Sequence, residues 1–163
     1  MINLEQRHSK WMSFAFSQAQ KAYDSNEVPV GAVVVYNDKI IGRGHNQKEQ
    51  LNDPTAHAEI IAITAATNTI NDWRLIDCEL YVTKEPCPMC AGAIINSRIR
   101  SVIFGCYDEK EGCCGSLYQL CGDPRFNHNV LVKGGIMEED CSCLLYTSPS
   151  PRDISGARMP SSA

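Results

Sequence analysis

The chain lacks any long apolar run. No stretch approaches the roughly 20 consecutive apolar residues that cross a bilayer, and the opening Met1-Ile2-Asn3-Leu4-Glu5-Gln6-Arg7-His8 is too polar for a secretory signal. The expectation is a cytoplasmic protein with no membrane partner. Positive charge is also not in excess. Fifteen Lys and Arg against 19 Asp and Glu leave a formal net charge of −4, which argues against general polyanion affinity while leaving room for a local basic patch on a phosphate backbone. Internal repeats are absent, and so is a second Cys-x-x-Cys or paired His at the spacing of a four-ligand structural zinc site. With 44% hydrophobic and 21% charged residues in 163, the chain reads as one soluble globular domain.

Cysteine, by contrast, is plentiful. Nine cysteines are present, but the number is odd and a reducing compartment is expected, so metal binding and core packing are better readings than disulfides.

Apolar residues recur at helical spacing from His8 to Ser25, predicting an amphipathic helix. Ala32–Tyr36 and Lys39–Gly44 flank Asn37-Asp38 as a hairpin. Asp53 as cap and Pro54 at the first helical position predict a helix through Ala56 to Ala66. Glu79–Thr83 reads as a strand, Pro86 as the opening of a helix from Cys87 to about Asn96, and Ser101–Gly105 as a further strand. A short helix around Ser116–Leu120, a strand at Val130–Lys133 and a helix from about Glu138 follow. This alternation predicts a partly parallel sheet with helices on both faces.

The chemistry-bearing constellation is His57-Ala58-Glu59 with Pro86-Cys87-Pro88-Met89-Cys90. Zinc favours imidazole nitrogen and thiolate sulfur in a tetrahedron, and three protein ligands leave a position open for water. His57, Cys87 and Cys90 make three. Cys87 and Cys90 share a helical face, and a helix N-terminus favours the thiolate. His57 and Glu59, two apart, point to nearly opposite sides of a regular helix, so a shared site requires them at its very start. A folding zinc site and plain buried thiols are the competing readings; adjacent Cys113 and Cys114 give poor spacing for the former, and the separate His-x-Glu favours a catalytic ion.

These motifs, with Glu27–Val33, Asp53–Ile60, Arg74–Asp77, Glu85–Ile94, Gly115-Ser116-Leu117 and Asn127-His128, resemble the tRNA-specific adenosine deaminases of the cytidine/purine deaminase superfamily, from about His8 to about Cys141. The resemblance implies a three-layer α/β/α cytidine-deaminase-like fold with a mixed central sheet of about five strands. It implies one Zn2+ per chain, a homodimer, and the anticodon stem-loop of tRNA as partner. Glu59 would shuttle protons as adenosine becomes inosine at the wobble position. Asn46, Ala58, Pro86, Asp108, Asn127 and His128 would contact substrate. Blander readings stand beside these: a turn residue for Asn46, a helix start for Pro86, a loop cap for Asp108 and a structural ring for His128. Cys106, Cys113 and Cys114 stand where the family favours small residues, and Pro88 is shared with deaminases of free bases. A free-nucleobase or nucleotide deaminase and a non-catalytic zinc-binding module are the alternatives.

The end of the chain differs in character. Cys143 to Asp153 resembles the in-frame translation of a transposase-type sequencing-library adapter, and Arg158 to Ala163 a later stretch of it. Residues 1–142 are therefore read as the zinc-dependent deaminase domain and 143–163 as a non-native or disordered tail, with the natural last helix cut short.

Overall fold

The computed structural model describes residues 2–147. The first helix, α1 (Leu4–Asp24), begins earlier than its apolar periodicity predicts because Asn3 and Gln6 form a reciprocal capping box. It is followed by β1 (Gly31–Tyr36) and β2 (Lys39–His45), joined through Asn37 and Asp38, both at positive φ. That is the backbone a tight hairpin of right-twisted strands requires. Next come a one-turn α2 (Lys48–Leu51), which the sequence pattern did not reveal, then α3 (Ala58–Ile70), β3 (Glu79–Lys84), α4 (Pro88–Asn96), β4 (Ser101–Cys106), β5 (Leu131–Lys133) and α5 (Glu138–Thr147).

The strands lie in the order β2-β1-β3-β4-β5. β1 is antiparallel to β2 and β3, whereas β3, β4 and β5 run parallel. Strand alternation sends apolar side chains to both faces. On one face Ala32, Val34, Leu80, Val82, Val102 and Phe104 pack with residues of α3 and α4. On the other, Val33, Val35, Tyr81 and Ile103 pack with Trp11, Met12 and Ala15 of α1 and Cys141 of α5. The expected three-layer α/β/α architecture with a mixed five-stranded sheet is the one observed.

Three local expectations are corrected. Asp53 and Pro54 do not open α3: the Asp53 carboxylate accepts from the Thr55 N–H (2.8 Å) and hydroxyl (2.7 Å), closing a side-chain turn, and the helix starts at Ala58. Pro86 does not open α4; Pro88 holds the first position, where a missing N–H costs nothing. No helix forms over Ser116–Leu120. That segment folds back through an isolated bridge between Cys114 and Gln119, and the Ser116 N–H goes to the Glu85 carboxylate rather than into a helix. At the other end α5 continues to Thr147, past residue 142 where the domain boundary was expected, and the rest of the expected tail lies outside the described residues.

What fixes α3 over the sheet is closeness. Ala58, Ala62 and Ala66 recur every four residues along one face, and β2 presents Gly44 and Gly42 to them. A Cβ at Gly44 would lie 2.4 Å from the Ala58 carbonyl oxygen, and one at Gly42 2.4 Å from that of Ala62. Helix and strand backbones therefore touch, and the start of α3 has no slack relative to the sheet. On the opposite face, Arg7 Nη2 donates to Glu79 Oε1 (2.7 Å), and His8 Nδ1 lies 2.8 Å from the Tyr81 hydroxyl. These contacts tie the first turns of α1 to β3.

Gly44→Val is expected to destabilise the fold by about 1–3 kcal/mol, or more if the backbone cannot shift, read as a lowered thermal midpoint. Burial holds His8 and His45 below their ordinary 6.5. The unfolded chain therefore takes up these protons first as pH falls, and the stability present above that value is lost on acidification. His8→Gln should make the decline in melting midpoint between about pH 7.5 and 5 shallower than in the parent chain.

Candidate active site

His57 and Cys87 occupy matching positions: each is the N-cap of its helix, His57 on α3 and Cys87 on α4. Both have extended backbone (φ −76°, ψ 155° and φ −78°, ψ 176°). That conformation resolves the spacing problem of His57 and Glu59. His57 is not yet helical, so its ring projects beyond the helix end, and Glu59, in the first turn, reaches the same side. Cys90 lies three residues into α4 and joins Cys87 on the face that looks at His57. His57 Nδ1 is 3.6 Å from Cys87 Sγ and 3.4 Å from Cys90 Sγ.

These separations are those of a coordination shell. A tetrahedral ion with metal–sulfur bonds of about 2.3 Å and metal–nitrogen bonds of about 2.0 Å places its nitrogen and sulfur donors about 3.5 Å apart. All three donor atoms lie within 4.8 Å of one another, and they are the only such group of three among the described residues. The imidazole and thiolate donors suit a borderline-soft metal rather than calcium or magnesium.

Electrostatics prepares the same set. The Cys90 thiol donates toward Cys87, and the His57 ring adds its own hydrogen bond, holding Cys87 down to about 4 and hence as the thiolate. Cys90 is correspondingly pushed up, with its contact to Glu59 contributing. The hydrogen bond to Cys87 raises His57 above its usual range. Glu59 is buried, and desolvation is the main cause raising its carboxyl; the nearby His57 ring opposes the shift. The Glu59 carboxyl thus stands beside the three donors without being one of the group.

A cavity of about 200 Å³ opens beside these groups, with Val28, Val30, Asn46, Ala58, Lys84 and Glu111 in its wall. Of the residues expected to contact substrate, Asn46 and Ala58 are there. Asn46 is held by donating to the Val28 carbonyl (3.3 Å) and accepting from the Lys48 N–H (3.2 Å). Pro86 sits just outside the lining, its carbonyl accepting from the Cys113 N–H (2.9 Å). Asp108 is a loop cap, accepting from the N–H groups of Lys110 and Glu111. Asn127 and His128 lie away from the cavity on the approach to β5, where His128 Nε2 donates to the Ile99 carbonyl (2.7 Å) and lines a separate cleft with Arg74, Arg98 and Arg100.

Four residues that hold or line the site escaped sequence reasoning. Glu85, buried at the end of β3, accepts from the backbone N–H groups of Asp108 (3.0 Å), Cys114 (3.0 Å) and Ser116 (2.9 Å) and from the Ser116 hydroxyl. It fastens the loop beside the site. Glu27, likewise buried, accepts from the N–H groups of Glu49 and Gln50 and sets α2 at the cavity mouth. Lys48 and Lys84 also line the cavity. A charged residue at the end of an otherwise apolar strand, as at Lys84-Glu85, was the available signal.

The chain is similar to known proteins in sequence and in fold. The family model for MafB19-like deaminases matches residues 6–138. The tRNA-specific adenosine deaminase of Bacillus subtilis (strain 168) is 47% identical over 135 residues, covering 83% of this chain and 84% of that protein. A solved structure from a study of A-to-I editing by tRNA:A34 deaminases at the wobble position superposes with a TM-score of 0.80 at 39% identity, over 83% of this chain and 99% of that one. The guanine deaminase of Bacillus subtilis gives 0.59 at 37% identity, over 65% and 66%. The likeness thus extends from the donor triad through nearly the whole described sheet, and by it the chain belongs to the MafB19-like deaminases and, among them, to the family of tRNA-specific adenosine deaminases.

Proposed function

We infer that this chain hydrolytically deaminates adenosine to inosine at the wobble position of tRNA. The carrying observation is the arrangement of His57, Cys87 and Cys90 as a three-donor shell with the buried Glu59 carboxyl against it, in a chain whose relatives carry that activity in their names. Zinc is the metal we assign to the shell, one ion per chain; when bound it supplies a Lewis acid that brings the pKa of water toward neutrality. Glu59 takes one proton from the attacking water and passes it to the ring nitrogen, then takes the hydroxyl proton of the addition product at C6 and passes it to the departing amine. Adenosine and water thus become inosine and ammonia. Burial raises the Glu59 carboxyl, the direction that suits proton uptake.

Asn46 and the Ala58 backbone are assigned to the base within the cavity, and the Pro86 carbonyl to the edge near the leaving amine. Asn127 and His128 are assigned to RNA outside it, and Asp108 serves the same RNA indirectly, through the Lys84 ammonium it holds. An adenosine splayed from an anticodon loop suits an enclosed cavity of this kind, because a paired base cannot enter. We assign the activity to residues 1–142, working in the cytoplasm as a homodimer, and read 143–163 as foreign to it.

The deciding experiment incubates zinc-loaded protein with an anticodon stem-loop bearing the wobble adenosine and, separately, with free guanine and cytosine. Inosine and ammonia are expected from the RNA; turnover of free bases alone would reassign the chain to base deamination. Glu59→Gln should lower kcat by about 10²-fold or more while bound zinc stays at one equivalent. His57→Ala, Cys87→Ala and Cys90→Ala should each lose the ion, measured by elemental analysis, and chelation of the parent chain should abolish turnover until zinc is restored.

A further inference from the structure

The Asp108 carboxylate, assigned to RNA by the family pattern, is spent inside the protein. Its Oδ1 accepts from the Lys110 N–H (2.9 Å) and the Glu111 N–H (3.2 Å), and its Oδ2 pairs with Lys84 Nζ at 3.1 Å. The side chain of Asp108 is 9% exposed, that of Lys84 27%. Lys84, not Asp108, stands in the cavity wall beside Glu59. An ammonium has three donors, and the ion pair engages one.

A second cation lines the same cavity. Lys48 is exposed and takes part in none of the ion pairs among the described residues. It is not loosely placed, because its N–H donates to Asn46 Oδ1 and the Glu27 carboxylate holds the next two residues of its turn. Two lysines thus line one small cavity together with Glu59, Glu85 and Glu111, Lys84 held by its ion pair and Lys48 by the backbone of its turn. A free base carries no phosphate for them to pair with. A nucleotide within a strand carries a phosphodiester on each side.

We propose that Lys84, oriented by Asp108, and Lys48 are phosphodiester contacts that select an adenosine held in a strand over a free base. This rests on the deaminase reading for the identity of the base, though not for the contacts themselves. Asp108 is then a positioning residue acting through Lys84, and Lys84 meets the strand in its place.

Binding separates the two claims. Zinc-loaded Glu59→Gln protein is titrated into a fluorescein-labelled anticodon stem-loop across a salt series, with anisotropy as readout. In that background Lys84→Met and Lys48→Met should each weaken low-salt binding about five- to tenfold and reduce the slope of log K against log salt by about 0.7 to 0.9. Lys84→Arg should restore both. An unchanged slope in either variant overturns the proposal, and so does weakened binding at constant slope, which marks a structural role. Lys48 is exposed, so its variant preserves the test if Lys84→Met fails to fold. Deamination of the same RNA by the unsubstituted chain is scored separately: reduced slopes without turnover leave the contacts standing and remove the reaction assignment.

Discussion

Two helices begin at one point, and the rest of the site follows from that. β3 and β4 run parallel, so the chain leaving β3 turns at the carboxyl ends of these strands, where α4 starts. There the start of α3, pressed onto β2, meets it. Parallel α/β sheets commonly place ligands outside the carboxyl ends of their strands. Here the consequence is electrostatic as well as geometric. The positive ends of two helices face the same small volume, favouring thiolate at Cys87.

Buried carboxylates do much of the remaining positioning. Glu85 collects three backbone N–H groups and a hydroxyl from a loop that has little regular structure of its own. A loop built this way is specified by one side chain rather than by local propensity. Glu27 does the same for α2. Buried charge is costly unless hydrogen-bonded, and both groups meet that condition with backbone donors that would otherwise be left unpaired.

This division explains what the sequence disclosed. The strands and longer helices were legible because alternation and the 3.6-residue period are local signals, and the donor triad was legible because zinc chemistry restricts residue type and spacing. The starts of α3 and α4 were misplaced because Asp53-Pro54 and Pro86 are good start signals locally; the tertiary demand that His57 and Cys87 stay extended overrode them. The helix expected at Ser116–Leu120 failed for a related reason, since the carboxylate that claims its first N–H lies some thirty residues away in the chain. Lys84 went unread because a charged residue closing an apolar strand marks the end of the strand without telling a cavity wall from solvent. Asn127 and His128 were nameable from family pattern alone, and their distance from the cavity could not be read without the sheet.

His57 and Cys87 cap their helices without any side-chain hydrogen bond to the exposed N–H groups. A Ser, Asp or Asn at either place would satisfy those donors and strengthen the helix by about 1 kcal/mol. Selection for stability alone would therefore drift toward sequences in which the site has vanished while the fold has improved. In a set of related chains, the loss of chemistry would be recorded first as two well-capped helices, long before any change in the sheet.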